Sequence, residues 1–307
     1  MKTLLATVAT AATLAAMPAL ATDIIVVAHG QANDPFWSVV KNGAQAAAEQ
    51  TGANVDFRSP ETFDMVQMSQ MIDAAVNQEP DGLVVSIPDA DALSPSIQRA
   101  VEAGIPVISM NSGGDVAHEL GIKLHVGQSE YDAGAAAGRK LAEMGGTKGI
   151  CVNQEVGNVS LDARCAGFAE GFGGPVEVIP TMNDPAEVQA KVRAALDSDE
   201  ELDTVLGLSA PLVGEPAVQA VEAMGLTGEV LVATFDMSPG FLEAVADGKA
   251  AFAIDQQQFL QGYLPVVFLA MNAEYGLIPG GDVPSGPNLV TQETAAMVID
   301  LAAQGIR

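Results

Sequence analysis

The sequence predicts an α/β protein built as two doubly wound, parallel-sheet lobes joined by a hinge. Three observations carry this. Short β-branched runs alternate with amphipathic stretches along the chain from residue 24 onward. Those runs are continuously apolar instead of alternating, the pattern of strands covered on both faces. Fifteen or more such elements are more than one doubly wound sheet of ordinary size needs, and they divide into two lobes.

In chain order, residues 1–21 read as a secretory leader. Lys2 supplies a positive start, Leu4 to Met17 is apolar and Ala/Leu-rich, and Pro18 precedes the small-x-small run Ala19-Leu20-Ala21. Cleavage is expected after Ala21. The apolar run is too short for a good membrane span, and no later segment is long and apolar enough for one. No Cys follows the cleavage site to carry a lipid anchor. An exported chain without membrane insertion is therefore expected.

Strands are expected at 24–28, 55–57, 82–86, 106–110 and 123–126, with helices at 36–50, 65–78 and 95–103 between them. A second series follows: helix 130–144, strand 148–153, helix 160–171, strand 176–180, helix 185–196, strand 203–207, helix 214–224 and strand 229–234. The tail adds helix 238–247, strand 250–254, helix 258–274 and helix 292–304. The helix end Val101-Glu102-Ala103-Gly104-Ile105 is echoed by Val221-Glu222-Ala223-Met224-Gly225-Leu226, each leading into an apolar strand. The echo fits two similar lobes; it also fits the general form of any helix-to-strand joint. Crossings between lobes are expected near Gly127, Asp255 and Gly286. They assign 22–127 with 257–286 to the first lobe, and 128–256 with 287–307 to the second.

Loss of Lys2 with the leader leaves 12 basic residues against 39 acidic ones, a net charge near −27. Nucleic acid and anionic membrane surfaces repel such a chain. The charge does not name a ligand. The two cysteines are Cys151, in an apolar strand, and Cys165, in the helix after it. Consecutive strand and helix pack together, so a structural disulfide between Cys151 and Cys165 is expected, with two buried free thiols as the other reading.

Enzyme and cofactor signatures are missing: no GxGxxG, no Walker loop, no GxSxG, no HExxH. His29, His118 and His125 lack ligand spacing, and the acidic run 197–201 lacks the glycine of a calcium loop. No metal, cofactor or catalysis is expected. What remains is polar residues at the carboxyl ends of strands, where open parallel sheets bind ligands. They are the run His29 to Trp37, Asn111-Ser112-Gly113-Gly114, Gly127-Gln128-Ser129-Glu130, Asn153-Gln154-Glu155, Asn158 to Asp162, Ser209, Asp236 and Asp255-Gln256-Gln257-Gln258. Two lobes facing each other bring such loops together.

With these residues the chain resembles the type I periplasmic binding proteins, in the ribose-binding-like branch that serves sugar ABC transporters. The resemblance covers essentially the whole chain after the leader. Its most specific pieces are Asn33-Asp34-Pro35-Phe36-Trp37, Gly82-Leu83-Val84-Val85-Ser86-Ile87-Pro88, Gly104-Ile105-Pro106-Val107-Ile108 and Val232-Ala233-Thr234-Phe235-Asp236. It implies a periplasmic protein, expected to be monomeric, that captures a small neutral sugar or polyol and hands it to a membrane ABC permease. An amine-bearing solute or a furanosyl signal molecule is the second expectation.

The resemblance also implies a site. Asp34 stands where the family commonly has Asn, and the stacking aromatics fall on Phe36 and Trp37. Asn111-Ser112 replaces an Asp-Arg pair. Asp162 takes an arginine's place, with Arg164 two residues on. Ser209 replaces an Asn, while Asp236 and Gln256 match directly. His29, at the end of the first strand, completes the set. Carboxylates and amides suit adjacent hydroxyls, and aromatic planes suit the C–H face of a sugar. Trp37 also reads as a core aromatic, and Asp34 and Asp236 also read as helix caps.

Overall fold

The computed structural model describes residues 21–30 and 34–307. The leader therefore lies, but for Ala21, outside the described residues, as does Asn33.

The first lobe runs β1 (Asp23–Val27), α1 (Pro35–Thr51), β2 (Asn54–Arg58), α2 (Met65–Val76), β3 (Gly82–Val85), α3 (Ala90–Glu102), β4 (Val107–Asn111) and β5 (His125–Gly127). The second runs α4 (Glu130–Glu143), β6 (Gly149–Asn153), α5 (Val159–Phe172), β7 (Val176–Pro180), α6 (Pro185–Ser198) and β8 (Thr204–Gly207). It continues through a π-helical turn (Ala210–Gly214), α7 (Glu215–Met224), β9 (Leu231–Phe235), α8 (Pro239–Ala246) and β10 (Phe252–Asp255). The chain then returns to the first lobe with α9 (Gln258–Tyr275) and β11 (Val283–Pro284). It ends in the second with β12 (Asn288–Val290), α10 (Gln292–Ala295) and α11 (Ile299–Ala303).

Each lobe holds a six-stranded sheet, in the orders β11-β5-β4-β3-β1-β2 and β12-β10-β9-β8-β6-β7. The two orders are equivalent strand for strand. Alternation along a buried strand builds both cores. Ile24 and Val26 of β1 face Val40 and Leu269 of α1 and α9. Ile25 and Val27 face Ile72 and Ile97 of α2 and α3. In β6, Ile150 and Val152 pack with Val188 and Val221, while Cys151 packs with Phe168 and Leu141 on the other face. Burying one such side chain fully is worth about 2 kcal/mol.

Glycines let two helix pairs approach closely. A Cβ at Gly262 would stand 1.9 Å from the Val40 carbonyl of α1, and one at Gly167 would stand 2.0 Å from the Tyr131 carbonyl of α4. The second pair brings α4 against α5 and so positions the site described below. Cys151 and Cys165 are joined, with Cα atoms 5.7 Å apart, which ties α5 to β6.

Several expectations are corrected. The helix expected over 95–103 starts at Ala90, capped by Asp89, whose side chain accepts the Ala92 N–H; Pro95 sits inside it. The helix expected over 292–304 is two short ones separated by a turn at 296–298. Expected strand 229–234 is shifted to β9, and 250–254 to β10. The sheets are not wholly parallel, because β12 runs antiparallel to β10. Among the described residues no helix is long and apolar enough to cross a membrane.

Candidate functional site

The carboxyl ends of both sheets face one another across a narrow cavity of about 30 Å³. The lobes touch around it. The Val159 N–H donates to the Pro88 carbonyl at 3.2 Å, and Asn158 Nδ2 lies 3.5 Å from His29 Nε2.

His29 follows β1. Its Nδ1 is 2.8 Å from Ser86 Oγ and its Nε2 is 4.0 Å from Glu155 Oε2. Burial, reinforced by the Arg164 charge, pushes its pKa down to about 3, so the imidazole is neutral at physiological pH. Its ring meets Trp37 edge-on, with centroids 4.7 Å apart, and Phe36 meets Trp37 at 5.1 Å. These rings form an apolar wall. Trp37 is 5% exposed and belongs to the first-lobe core as well as to the cavity.

Asp34 is half-buried and caps α1, accepting the Phe36 N–H at 2.9 Å while lining the cavity. Burial raises its pKa to about 7, against the Phe36 hydrogen bond and with help from Glu155 and Asp236. Asp236 follows β9 at φ 68°. It does not cap α8; that role falls to Ser238. Burial raises Asp236 to about 7 as well, partly offset by Arg164 and by Gln256, whose Nε2 donates to Oδ1 at 2.5 Å.

Arg164 is buried over the Phe235 ring, its guanidinium carbon 4.4 Å from the centroid. It is bidentate to Glu130, Nε to Oε2 at 2.6 Å and Nη2 to Oε1 at 3.0 Å. The close packing of α4 on α5 makes this pair possible. Its charge is thereby matched inside the protein.

His29, Asp34, Phe36, Trp37, Asn111, Arg164, Ser209, Asp236 and Gln256 all line the cavity. Ser112 and Asp162 do not. The Ser112 hydroxyl lies behind Asn111 and donates to its Oδ1 at 2.8 Å. Asp162 is exposed and accepts from Asn153 Nδ2 at 2.9 Å. Two residues are about 200° of helix, so a helix that turns Arg164 inward turns Asp162 out.

Gln154, Glu155 and Asn158, which the strand-end rule brings forward but the family resemblance does not assign, also line the cavity, together with Leu161 and Leu208. The signal was available for three of them, since Gln154 and Glu155 follow β6 and Asn158 caps α5. Asn158 Nδ2 donates to Glu155 Oε2 at 2.9 Å, and burial raises the Glu155 pKa.

The cavity thus offers carboxylates, amides and a hydroxyl beside an aromatic wall, and the one guanidinium among the described residues lining it is already paired. That chemistry suits a ligand with several hydroxyls. Among the described residues no cluster of three or more His, Cys, Asp or Glu is placed to hold a metal ion.

Residues 24–276 match the family model described as a periplasmic binding protein domain. Among curated relatives, the xylose/arabinose-binding protein of Sulfolobus acidocaldarius is 24% identical over 80% of this chain and 64% of its own length. The ribose import binding protein of Salmonella typhimurium is 28% identical over 83% of this chain and 86% of its own. Among solved structures, a carbohydrate transporter from Acidothermus cellulolyticus, in complex with myo-inositol, is 34% identical. It superposes with a TM-score of 0.88 over 94% of this chain and all of that one. Sheet order, the interlobe cavity and a family match across most of the chain agree: the chain belongs to the type I periplasmic binding proteins.

Proposed function

We propose that this chain is the solute-binding component of an ABC importer and that its cargo is a neutral sugar or cyclic polyol. The observation that carries the reading is the cavity itself. Hydrogen-bonding side chains from both lobes converge beside Trp37 and Phe36, and the single cation among the described lining residues, Arg164, is bound to Glu130. A ligand anion would find no free positive charge there, whereas hydroxyls would find paired acceptors and donors. The names of the relatives, which bind or import pentoses, and of the myo-inositol complex support the same class.

The wider reading follows the family. The leader is removed after Ala21, the mature protein works in the periplasm as a monomer, and it delivers its cargo to a membrane permease without chemical change. Residues 22–127 with 257–286 and 128–256 with 287–307 act as the two bodies of a hinge, and ligand shifts them toward the closed arrangement. The test is calorimetry of the mature protein against myo-inositol, D-ribose, D-xylose, D-allose and D-fructose. Saturable binding of at least one, with unchanged compound recovered, supports the reading. Binding confined to sugar acids or phosphorylated sugars overturns it.

A further inference from the structure

We infer that Gln261, buried in α9, is the positioning residue that decides what the site offers at Asp236. It holds the Gln256 carboxamide with its N–H toward Asp236, so that this carboxylate meets the ligand as an acceptor and selects a hydroxyl that donates. The inference rests on the reading that the cavity takes a neutral polyhydroxy ligand.

The argument begins at an atom whose role is fixed. The backbone carbonyl of Gln256 can only accept, and Gln261 Nε2 stands 3.1 Å from it. The nitrogen end of the Gln261 amide therefore faces Gln256. The same nitrogen is 3.1 Å from the Gln256 side-chain oxygen and 3.0 Å from Ser285 Oγ. An amide nitrogen does not accept, so the Gln256 atom facing it must be Oε1. The Gln256 nitrogen then points the other way, to Asp236 Oδ1 at 2.5 Å.

Asn111 follows the same logic. Its Nδ2 donates to Gln261 Oε1 at 3.2 Å and to Gln256 Oε1 at 3.3 Å. Its Oδ1 is left to accept the Ser112 hydroxyl at 2.8 Å. Every bond in the chain Ser112, Asn111, Gln256, Asp236 thus runs in one direction, toward the carboxylate. Gln261 is fully buried and does not line the cavity, so it acts only through these neighbours. Were Gln256 reversed, its oxygen would face a carboxylate oxygen. That arrangement persists in a buried site only if Asp236 is protonated, and hydrogen bonds to a neutral group are about half as strong.

Two readouts test this. In the ligand-free protein, carbon-13 NMR follows the Asp236 carboxyl through its titration, assigned by its loss in Asp236→Asn. Gln261→Met is expected to raise its midpoint by about half a pH unit or more. If Gln261→Met does not fold, Ser285→Ala, which removes one anchor of the same amide, is expected to shift it in the same direction. An unchanged midpoint in the folded variant overturns the inference.

The second readout uses myo-inositol and D-ribose as probes, each beside its deoxy analogues. Gln261→Met is expected to weaken the parent compound about tenfold or more. It is also expected to shrink the parent-to-deoxy affinity ratio for the hydroxyl that wild type discriminates most. An equal loss for parent and deoxy compounds is a structural effect only and overturns the inference. If wild type binds neither probe nor any other neutral sugar, the functional reading fails, and the NMR midpoint alone decides the role of Gln261.

Discussion

Asn111 and Asp236 occupy equivalent places in the two lobes and are joined through one side chain. Asn111 ends β4 and Asp236 follows β9, the third strand in the order of each sheet. Both adopt left-handed backbone, at φ 62° and 68°. Asn and Asp accept that conformation more readily than other non-glycine residues. Gln256, in the second crossing, touches both, accepting from Asn111 at 3.3 Å and donating to Asp236 at 2.5 Å. A residue of a crossing between the lobes is therefore in contact with the cavity face of each lobe.

Asp236→Asn keeps the backbone tolerance and can still accept from Gln256, but it turns an N–H toward the ligand. Affinity for the bound sugar is expected to fall about tenfold or more, with no loss of thermal stability at neutral pH. Calorimetry and thermal unfolding of the same sample check both. Intact affinity would remove Asp236 from the site.

The same variant isolates a pH dependence. Asp236 titrates near 3.8 when unfolded and is raised to about 7 in the fold. The folded state thus binds the extra proton between those values, and stability present at low pH is lost as pH rises through 7. The stability of Asp236→Asn relative to wild type is expected to grow between pH 4 and 7, by up to about 1.4 kcal/mol per unit, and then level off. His29 acts in the opposite sense. Its pKa is lowered to about 3, so its contribution is complete above 6.5 and is lost on acidification. It is present in both proteins and cancels in the difference, which urea unfolding at a series of pH values measures.

Arg164 and Glu130 form a buried pair, and removing one partner strands the other charge. Glu130→Ala is expected to cost about 3 kcal/mol or more of stability. Replacing both, as in Glu130→Leu with Arg164→Met, is expected to recover a large part of it. Denaturant midpoints of the two variants decide, and an additive loss would show that the pair is not coupled.

Trp37 is the only tryptophan, so indole emission reports one place. It stands in both the cavity wall and the core. Ligand is expected to change the emission saturably, and Trp37→Ala is expected to lose both affinity and about 3 kcal/mol of stability. Trp37→Phe is expected to lose less of each. An emission insensitive to a ligand that calorimetry shows bound would confine Trp37 to the core.

Reduction of the Cys151–Cys165 bond reopens a loop of about 15 residues, worth about 3 kcal/mol in the chain-entropy view. The midpoint of urea unfolding is expected to fall accordingly with reductant. Thiol titration of the unfolded, unreduced protein is expected to find none.

The strands that carry the site were legible because burial on both faces leaves an apolar run, as in Ile24-Ile25-Val26-Val27. β11 and β12 were not, being two and three residues long and mostly exposed at sheet edges. α3 was misread at its start because Pro95 looks like a first-turn proline, while Asp89 is the cap. In the site, the strand-end rule finds His29, Asn111 and Asp236. It passes over Gln261, which sits inside a helix and acts through a neighbour. It also cannot separate Asp162 from Arg164, which only the rotation of α5 distinguishes.

The three crossings converge on Gly286, where a Cβ would stand 2.7 Å from Gln128 Oε1, 3.0 Å from Gln256 Cα and 3.1 Å from the Asp255 carbonyl. Under the proposed closure this junction is a pivot, and each contact has its own lever arm about it. The Asn111–Gln256–Asp236 bonds are built on the junction itself and move little when the lobes part. The contacts of His29 with Asn158 and of Pro88 with Val159 join lobe to lobe directly, so opening breaks them. A ligand then engages in a set order, first on the face assembled at the pivot and last under the far rim. Changes near Gln256 would govern capture, and changes near Asn158 would govern residence time.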